Sequence, residues 1–253
     1  MRSFAALCQY VLASLALLGV AANAAELADT IERIKPSIVV VGTYKKTNSP
    51  QFVMRGTGFI VGFGNLVATN AHVLIDTNEP DAPVMVIQAR TASGETQIRR
   101  AVLANIDKEH DLAVLRIEGS PLPALKLRNS DQVREGQTIA FTGFPIGGAL
   151  GFSPVTHRGM ISSITPIALP GGNAQQINEK QIRKIRSGTF NIFQLDATAY
   201  PGNSGSPVFD IDSGEVIGII NMVFIKSTRE AALTHPSGIS YAIPANYLQA
   251  YLN

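Results

Sequence analysis

The sequence predicts an all-β protein built from barrels, and three observations carry that expectation. Short apolar runs rich in β-branched residues recur at 37–44, 84–90, 111–117 and 216–224, each of strand length. Glycine- and proline-rich turn signals separate them, as at 62–65 and 91–95. The stretch 119–136 holds Pro121, Pro123 and mixed charges and divides the chain into halves of barrel size, about 37–118 and 137–243. Short helices are expected at either end.

Taken in order, residues 1–24 read as a secretory signal. Arg2 is a positive start, 11–22 is an apolar run, and Ala22-Asn23-Ala24 is a small-x-small cleavage site, so the mature chain is expected to begin at Ala25. The apolar run is short of the roughly 20 residues that a spanning helix needs; an uncleaved anchor is the competing reading, and no stable span is expected after removal. Cys8, the single cysteine of the 253 residues, lies inside this segment. The mature chain therefore has no disulfide, which suits an exported protein large enough to rely on its core. Twenty-one basic residues against 19 acidic ones give no charge excess pointing to nucleic acid.

Leu27, Ile31 and Ile34 share one face of a helix over 26–34, which Pro36 ends. A strand over 37–44, a polar turn over 45–51 and a glycine-punctuated hairpin over 56–68 follow. A loop covers 76–83, and strands at 84–90 and 97–104 flank a turn. The run 111–117 closes the first half. In the second half, strands are expected at 138–145, 153–163, 190–197, 216–224 and 240–243, and a short helix at 245–252. The stretch 166–189 is long and irregular, with a cationic cluster of Lys180, Arg183, Lys184 and Arg186. Loops of this length are functional or mobile, and a solvated charged face is the simpler account of the cluster.

The chain is organised around Tyr200-Pro201-Gly202-Asn203-Ser204-Gly205-Ser206-Pro207. Such residues compose ordinary surface turns. They also suit acyl transfer, in which a serine attacks and backbone N–H groups aim at the developing oxyanion. Ser204 is the candidate nucleophile, and Gly202 and Ser204 could supply the two N–H groups. A serine needs a base, and the base needs an orienting carboxylate. The histidines are His72, His110, His157 and His235. His72 follows the first hairpin, and Asp111 stands at the mouth of an apolar strand. His110 is a rival base beside it, although strand alternation would point it away. The α/β-hydrolase turn G-x-S-x-G fits poorly, because position 206 is serine.

These segments resemble the chymotrypsin-like (trypsin-fold) serine proteases, and within them the HtrA/Deg type of bacterial envelopes. Gly56-Thr57-Gly58-Phe59-Ile60-Val61, Thr69-Asn70-Ala71-His72-Val73, Asp111-Leu112-Ala113-Val114-Leu115 and the Ser204 turn carry the match. So do Gly214-Glu215-Val216-Ile217-Gly218-Ile219 and Gly238-Ile239-Ser240-Tyr241-Ala242-Ile243-Pro244. The resemblance spans about 27–252. It implies two six-stranded antiparallel β-barrels and one protease domain over 25–253. It also implies a His72, Asp111, Ser204 triad between the barrels, with the Gly202 and Ser204 N–H groups as oxyanion hole.

The implied pocket has Thr198 at its base and Asn221, Met222 and Val223 as walls. Position 198 is not a carboxylate, so a small or medium aliphatic side chain is expected before the cleaved bond rather than Lys or Arg. Two features depart from the pattern: Ser206 replaces a glycine, and the sequence ends at Asn253 without the PDZ module usual in the type, so substrate capture by such a module is not carried over.

The resulting expectation is an exported, periplasmic or secreted bacterial serine endopeptidase acting on unfolded or extended polypeptides, in envelope quality control or extracellular proteolysis. The resembled type often trimerises through its N-terminal segment, and that segment is short here, so a homo-oligomer is one possibility and oligomeric state stays open. No cofactor is expected, nor a metal, since no ligand spacing stands out. The competing expectation is a latent or non-catalytic relative that binds peptides like a chaperone.

Overall fold

The computed structural model describes residues 27–75, 81–91, 94–147, 151–166, 190–221 and 239–252. Residues 27–34 form a helix, α1, followed by a 3-10 turn over Lys35–Ser37 that carries Pro36. The first six strands are β1 (Ile38–Tyr44), β2 (Phe52–Val61), β3 (Leu66–Asn70), β4 (Val84–Arg90), β5 (Thr96–Asp107) and β6 (Leu112–Ile117). They close into a barrel in the order β1-β2-β3-β6-β5-β4. The second six are β7 (Thr138–Gly143), β8 (Val155–Pro166), β9 (Asn191–Asp196), β10 (Pro207–Asp210), β11 (Val216–Ile220) and β12 (Ile239–Pro244). They close as β10-β11-β12-β9-β8-β7, which is the same topology. A four-residue helix, α2 (Asn246–Gln249), ends the described chain.

The period of two in a strand explains the core. In β1, Val39 and Val41 point into the first barrel with Ile60, Val67, Ile87 and Leu115. Ile38 and Val40 point out of it, into a cluster shared with Phe59, Val61, Leu112, Val114, Val216, Ile219, Ile243 and Leu248. That second cluster joins the barrels. It explains why β1, β6 and β11 read as continuous apolar runs rather than alternating ones: both of their faces are covered. The second barrel is filled by Ile139, Phe141, Ile161, Phe193, Leu195, Val208, Ile217 and Ile220. α1 lays Ile34 and Leu27 against Phe209 and Ala140.

Several elements differ from the sequence expectation: β2 begins at Phe52 rather than at 56, and β8 runs Val155–Pro166 rather than 153–163. β5 runs on to Asp107 through a register shift between Leu103 and Asn105, where it curls around the barrel. β10 is absent from the sequence expectation, because four residues that begin with Pro207 are too few to show a pattern. The terminal helix is limited to four residues of the expected eight. The crossing between halves pairs with the second barrel through Arg128 N–H to Val216 C=O (2.8 Å) and Val216 N–H to Lys126 C=O (2.8 Å).

Candidate active site

His72 lies on a 3-10 turn, Ala71–Val73, immediately after β3 ends at Asn70. Asp111 lies at the tip of the β5–β6 turn with φ +55°, a left-handed conformation that Asp tolerates better than most residues. Its carbonyl is held by Ala71 N–H (3.1 Å) and by Asn70 Nδ2 (3.1 Å). With its backbone fixed, its carboxylate faces His72. Oδ1 accepts from the His72 backbone N–H at 2.8 Å, and Oδ2 meets His72 Nδ1 at 2.6 Å. A carboxylate oxygen only accepts, so Nδ1 carries a proton, and in the neutral imidazole Nε2 is then the acceptor.

The second barrel contributes a further donor. Asn221, fully buried just past the end of β11, donates from Nδ2 to Asp111 Oδ2 at 2.7 Å. Asn221, expected in the pocket wall, contacts Asp111, which the sequence alone does not reveal. The only signal was a polar residue interrupting an apolar run.

Ser204 sits in the turn between β9 and β10, 6% exposed. Its carbonyl accepts from Thr57 N–H in β2 at 2.9 Å. A Cβ on Gly56 would lie 2.8 Å from Val73 Cγ2 and 2.9 Å from Ser204 O. The residue after His72 and the backbone of Ser204 therefore meet over Gly56, and only glycine leaves room for both. Among the described residues no hydrogen bond joins Ser204 Oγ to His72. Nucleophile–base contacts are often loose in apo structures.

The turn is held by Asn203 N–H to Tyr200 C=O (2.9 Å), Gly205 N–H to Ile220 C=O (3.0 Å), Ser206 N–H to Asn203 C=O (2.9 Å) and Ile146 N–H to Pro201 C=O (2.7 Å). Among the described residues, the N–H groups of Gly202 and Ser204 donate to nothing. Gly202 has φ +102°, and a Cβ there would lie 2.2 Å from Phe144 O, so no other residue fits. Ser206 leaves these bonds in place; its Oγ fills the space over Gly143, whose Cβ would lie 1.9 Å away.

Thr198 is bracketed by Ser240. The buried Ser240 hydroxyl donates to Ala197 C=O (2.7 Å) and accepts from Ala199 N–H (2.8 Å). Met222 and Val223 lie outside the described residues, as do 1–26 and 167–189, the latter with the cationic cluster. Beside the turn, an apolar cleft of about 530 Å³ is lined by residues including Phe52, Met54, Ile146, Phe152 and Gly202.

His110 is committed elsewhere. Its Nδ1 meets Asp107 Oδ2 at 2.6 Å, and its ring stacks on Tyr247 at 4.1 Å. Burial raises the Asp107 pKa, but hydrogen bonds from the His110 backbone, the His110 ring and Tyr251 outweigh it and hold the carboxyl below its ordinary value. His157 stacks on Phe141 at 4.8 Å, and burial pushes its imidazole below the ordinary value. Among the described residues no three His, Cys, Asp or Glu side chains are grouped to hold a metal, and no helix is long and apolar enough to cross a membrane.

A trypsin-like peptidase domain model matches residues 56–219, which include His72, Asp111 and Ser204. The chain is 32% identical over 206 residues to "Serine protease HTRA2, mitochondrial" of Drosophila pseudoobscura pseudoobscura, covering 81% of this chain and 40% of that protein. It is 31% identical over 235 residues to the protein of the same name from Bos taurus, covering 90% and 42%. It thus spans about two fifths of the length of these relatives. The crystal structure of Deg5 superposes with a TM-score of 0.64 at 23% identity over 89% of this chain and 91% of that one, a likeness of fold.

Proposed function

Because the chain belongs to the trypsin-like peptidase domain family, we propose that it is a serine endopeptidase that hydrolyses peptide bonds through His72, Asp111 and Ser204. The observation that carries this reading is the His72–Asp111 pair, 2.6 Å apart and oriented with Nε2 free to accept. Ser204 Oγ attacks the scissile carbonyl while His72 Nε2 takes its proton. The oxyanion is received by the N–H groups of Gly202 and Ser204. His72 returns the proton to the leaving amine, leaving an acyl group on Ser204. Water, activated by the same imidazole, then releases the acid and restores the serine. Asp111 keeps the imidazole in the required tautomer and stabilises its charged form.

The substrates we assign are extended or unfolded polypeptides, for which the apolar cleft beside Gly202 offers room. Thr198 at the pocket base favours a small or medium aliphatic side chain before the cleaved bond. The leader pattern of residues 1–24 supports export, with a role in envelope quality control or extracellular proteolysis. No cofactor enters the scheme.

The test is labelling by a serine-directed phosphonate, read by mass spectrometry. An adduct on the peptide holding Ser204, abolished in Ser204→Ala, is the expected result. The absence of any adduct on Ser204 would favour the peptide-binding, non-catalytic reading. Digestion of a peptide library mainly after Arg or Lys would overturn the assignment of Thr198.

A further inference from the structure

We propose that Thr57 is a positioning residue for the oxyanion turn, acting on it from the opposite barrel. The inference rests on the reading of Ser204 as nucleophile. Thr57 lies in β2, fully buried between Gly56 and Gly58. It grips the turn at two points. Its N–H donates to Ser204 C=O at 2.9 Å, and its hydroxyl is 2.7 Å from Gly202 C=O. The same hydroxyl accepts from Phe144 N–H at 3.1 Å. A hydroxyl has one proton to give. Neither Gly202 C=O nor Phe144 N–H can exchange roles, so that proton points at Gly202.

The consequence follows from peptide planarity. Fixing Gly202 C=O turns the Asn203 N–H the other way, onto Tyr200 C=O at 2.9 Å. Fixing Ser204 C=O turns the Gly205 N–H onto Ile220 C=O at 3.0 Å. The Asn203–Ser204 peptide, which carries the Ser204 N–H, is then held between two fixed neighbours. The Gly202 N–H belongs to the Pro201–Gly202 peptide, whose carbonyl is held by Ile146 N–H at 2.7 Å. Ile146 is two residues beyond Phe144, so Thr57 also anchors the segment that restrains this second peptide.

A hydroxyl is needed at position 57, and space for it is made by glycine: a Cβ on Gly143 would lie 3.0 Å from Thr57 Oγ1. Valine would keep the shape and the backbone N–H while leaving Phe144 N–H and Gly202 C=O without that partner. Serine would keep the hydroxyl. A merely space-filling role predicts the opposite ranking, with valine tolerated better than serine.

The test compares wild type, Thr57→Val and Thr57→Ser in the full chain, with folding checked by thermal melting. Thr57→Ala replaces the valine variant if that one does not fold. Two readouts are taken: kcat and KM on fluorescent casein, and amide hydrogen exchange of the peptide covering 200–206. A whole oxyanion donor is worth about 10²–10³ in kcat, so its misplacement should lower kcat about 10- to 100-fold with KM little changed. Exchange of the turn should quicken about tenfold or more in the valine variant. Thr57→Ser should restore both. Unchanged kcat and exchange in Thr57→Val, or a serine variant as impaired as valine, would overturn the proposal. If wild type cleaves no casein, the nucleophile reading fails separately, and the exchange comparison alone decides whether Thr57 holds the turn.

Discussion

Asn221 Nδ2 donates to Asp111 Oδ2 at 2.7 Å, so a residue of the second barrel holds the carboxylate of the first. Asp111 Oδ2 thereby accepts from both Asn221 and His72 Nδ1, and the orientation of the imidazole depends on how the two barrels dock. A site assembled this way is sensitive to changes far from the reacting atoms.

Asn221→Leu removes that donor at similar size. A hydrogen bond to a charged group is worth about 1.5–3 kcal/mol, so kcat should fall about 10- to 100-fold. The split between the constants is informative. Loss in kcat at constant KM places the effect on Asp111; a raised KM with kcat retained would instead mark Asn221 as a pocket wall only. Steady-state kinetics on a defined peptide distinguishes the two.

Gly143 and Ser206 should be strongly coupled. The Cβ of Gly143→Ala would lie 1.9 Å from Ser206 Oγ and 2.7 Å from Asn203 Oδ1. That variant should lose about 1–3 kcal/mol of stability through overpacking. Adding Ser206→Gly removes the nearer clash but not the Asn203 contact, so a coupling of at least about 0.5 kcal/mol in the rescuing direction is expected from urea unfolding of the four members of the cycle. Simple additivity would mean that the turn moves as a unit instead.

The acid limb of stability should carry two signatures. Asp107 has a folded pKa below its ordinary 3.8, so the stability it supplies is complete above about pH 4 and is lost as pH falls through the folded value. Asp107→Asn should be less stable than wild type at neutral pH, by about 1–2 kcal/mol, and the gap should close below about pH 4. His157 has a folded pKa below its ordinary 6.5. Its contribution is present above pH 6.5 and declines as pH falls through the lower folded value. His157→Phe, which retains the stack on Phe141, should lose less stability than wild type over that window. Urea unfolding as a function of pH reads both.

Much of the fold is legible in the sequence, for physical reasons that can be named. β4 shows at its true bounds because turn-forming residues flank an apolar run. The halves show because the crossing at 119–136 interrupts the pattern. β10 does not show, since four residues cannot establish a period. His72 and Asp111 stand out because each follows or opens an apolar strand, and the structure brings them together. His110, their neighbour, is resolved by geometry alone: whether it serves Asp111 or Asp107 depends on the turn, with Asp111 at φ +55°. The roles of Asn221 and Thr57 are not legible in the sequence, because what gives each one its place is a partner about a hundred residues or more away. Thr57, a hydroxyl set between two glycines in an apolar strand, carried a local signal of close packing but none of its target.

The central claim, that Ser204 is the nucleophile of a peptidase, is tested most directly by casein cleavage by residues 25–253 beside the same chain carrying Ser204→Ala. The account predicts cleavage by the first and a loss of about 10³-fold or more in the second, with thermal melting unchanged between them. Equal cleavage by both proteins, or none by either, would contradict it.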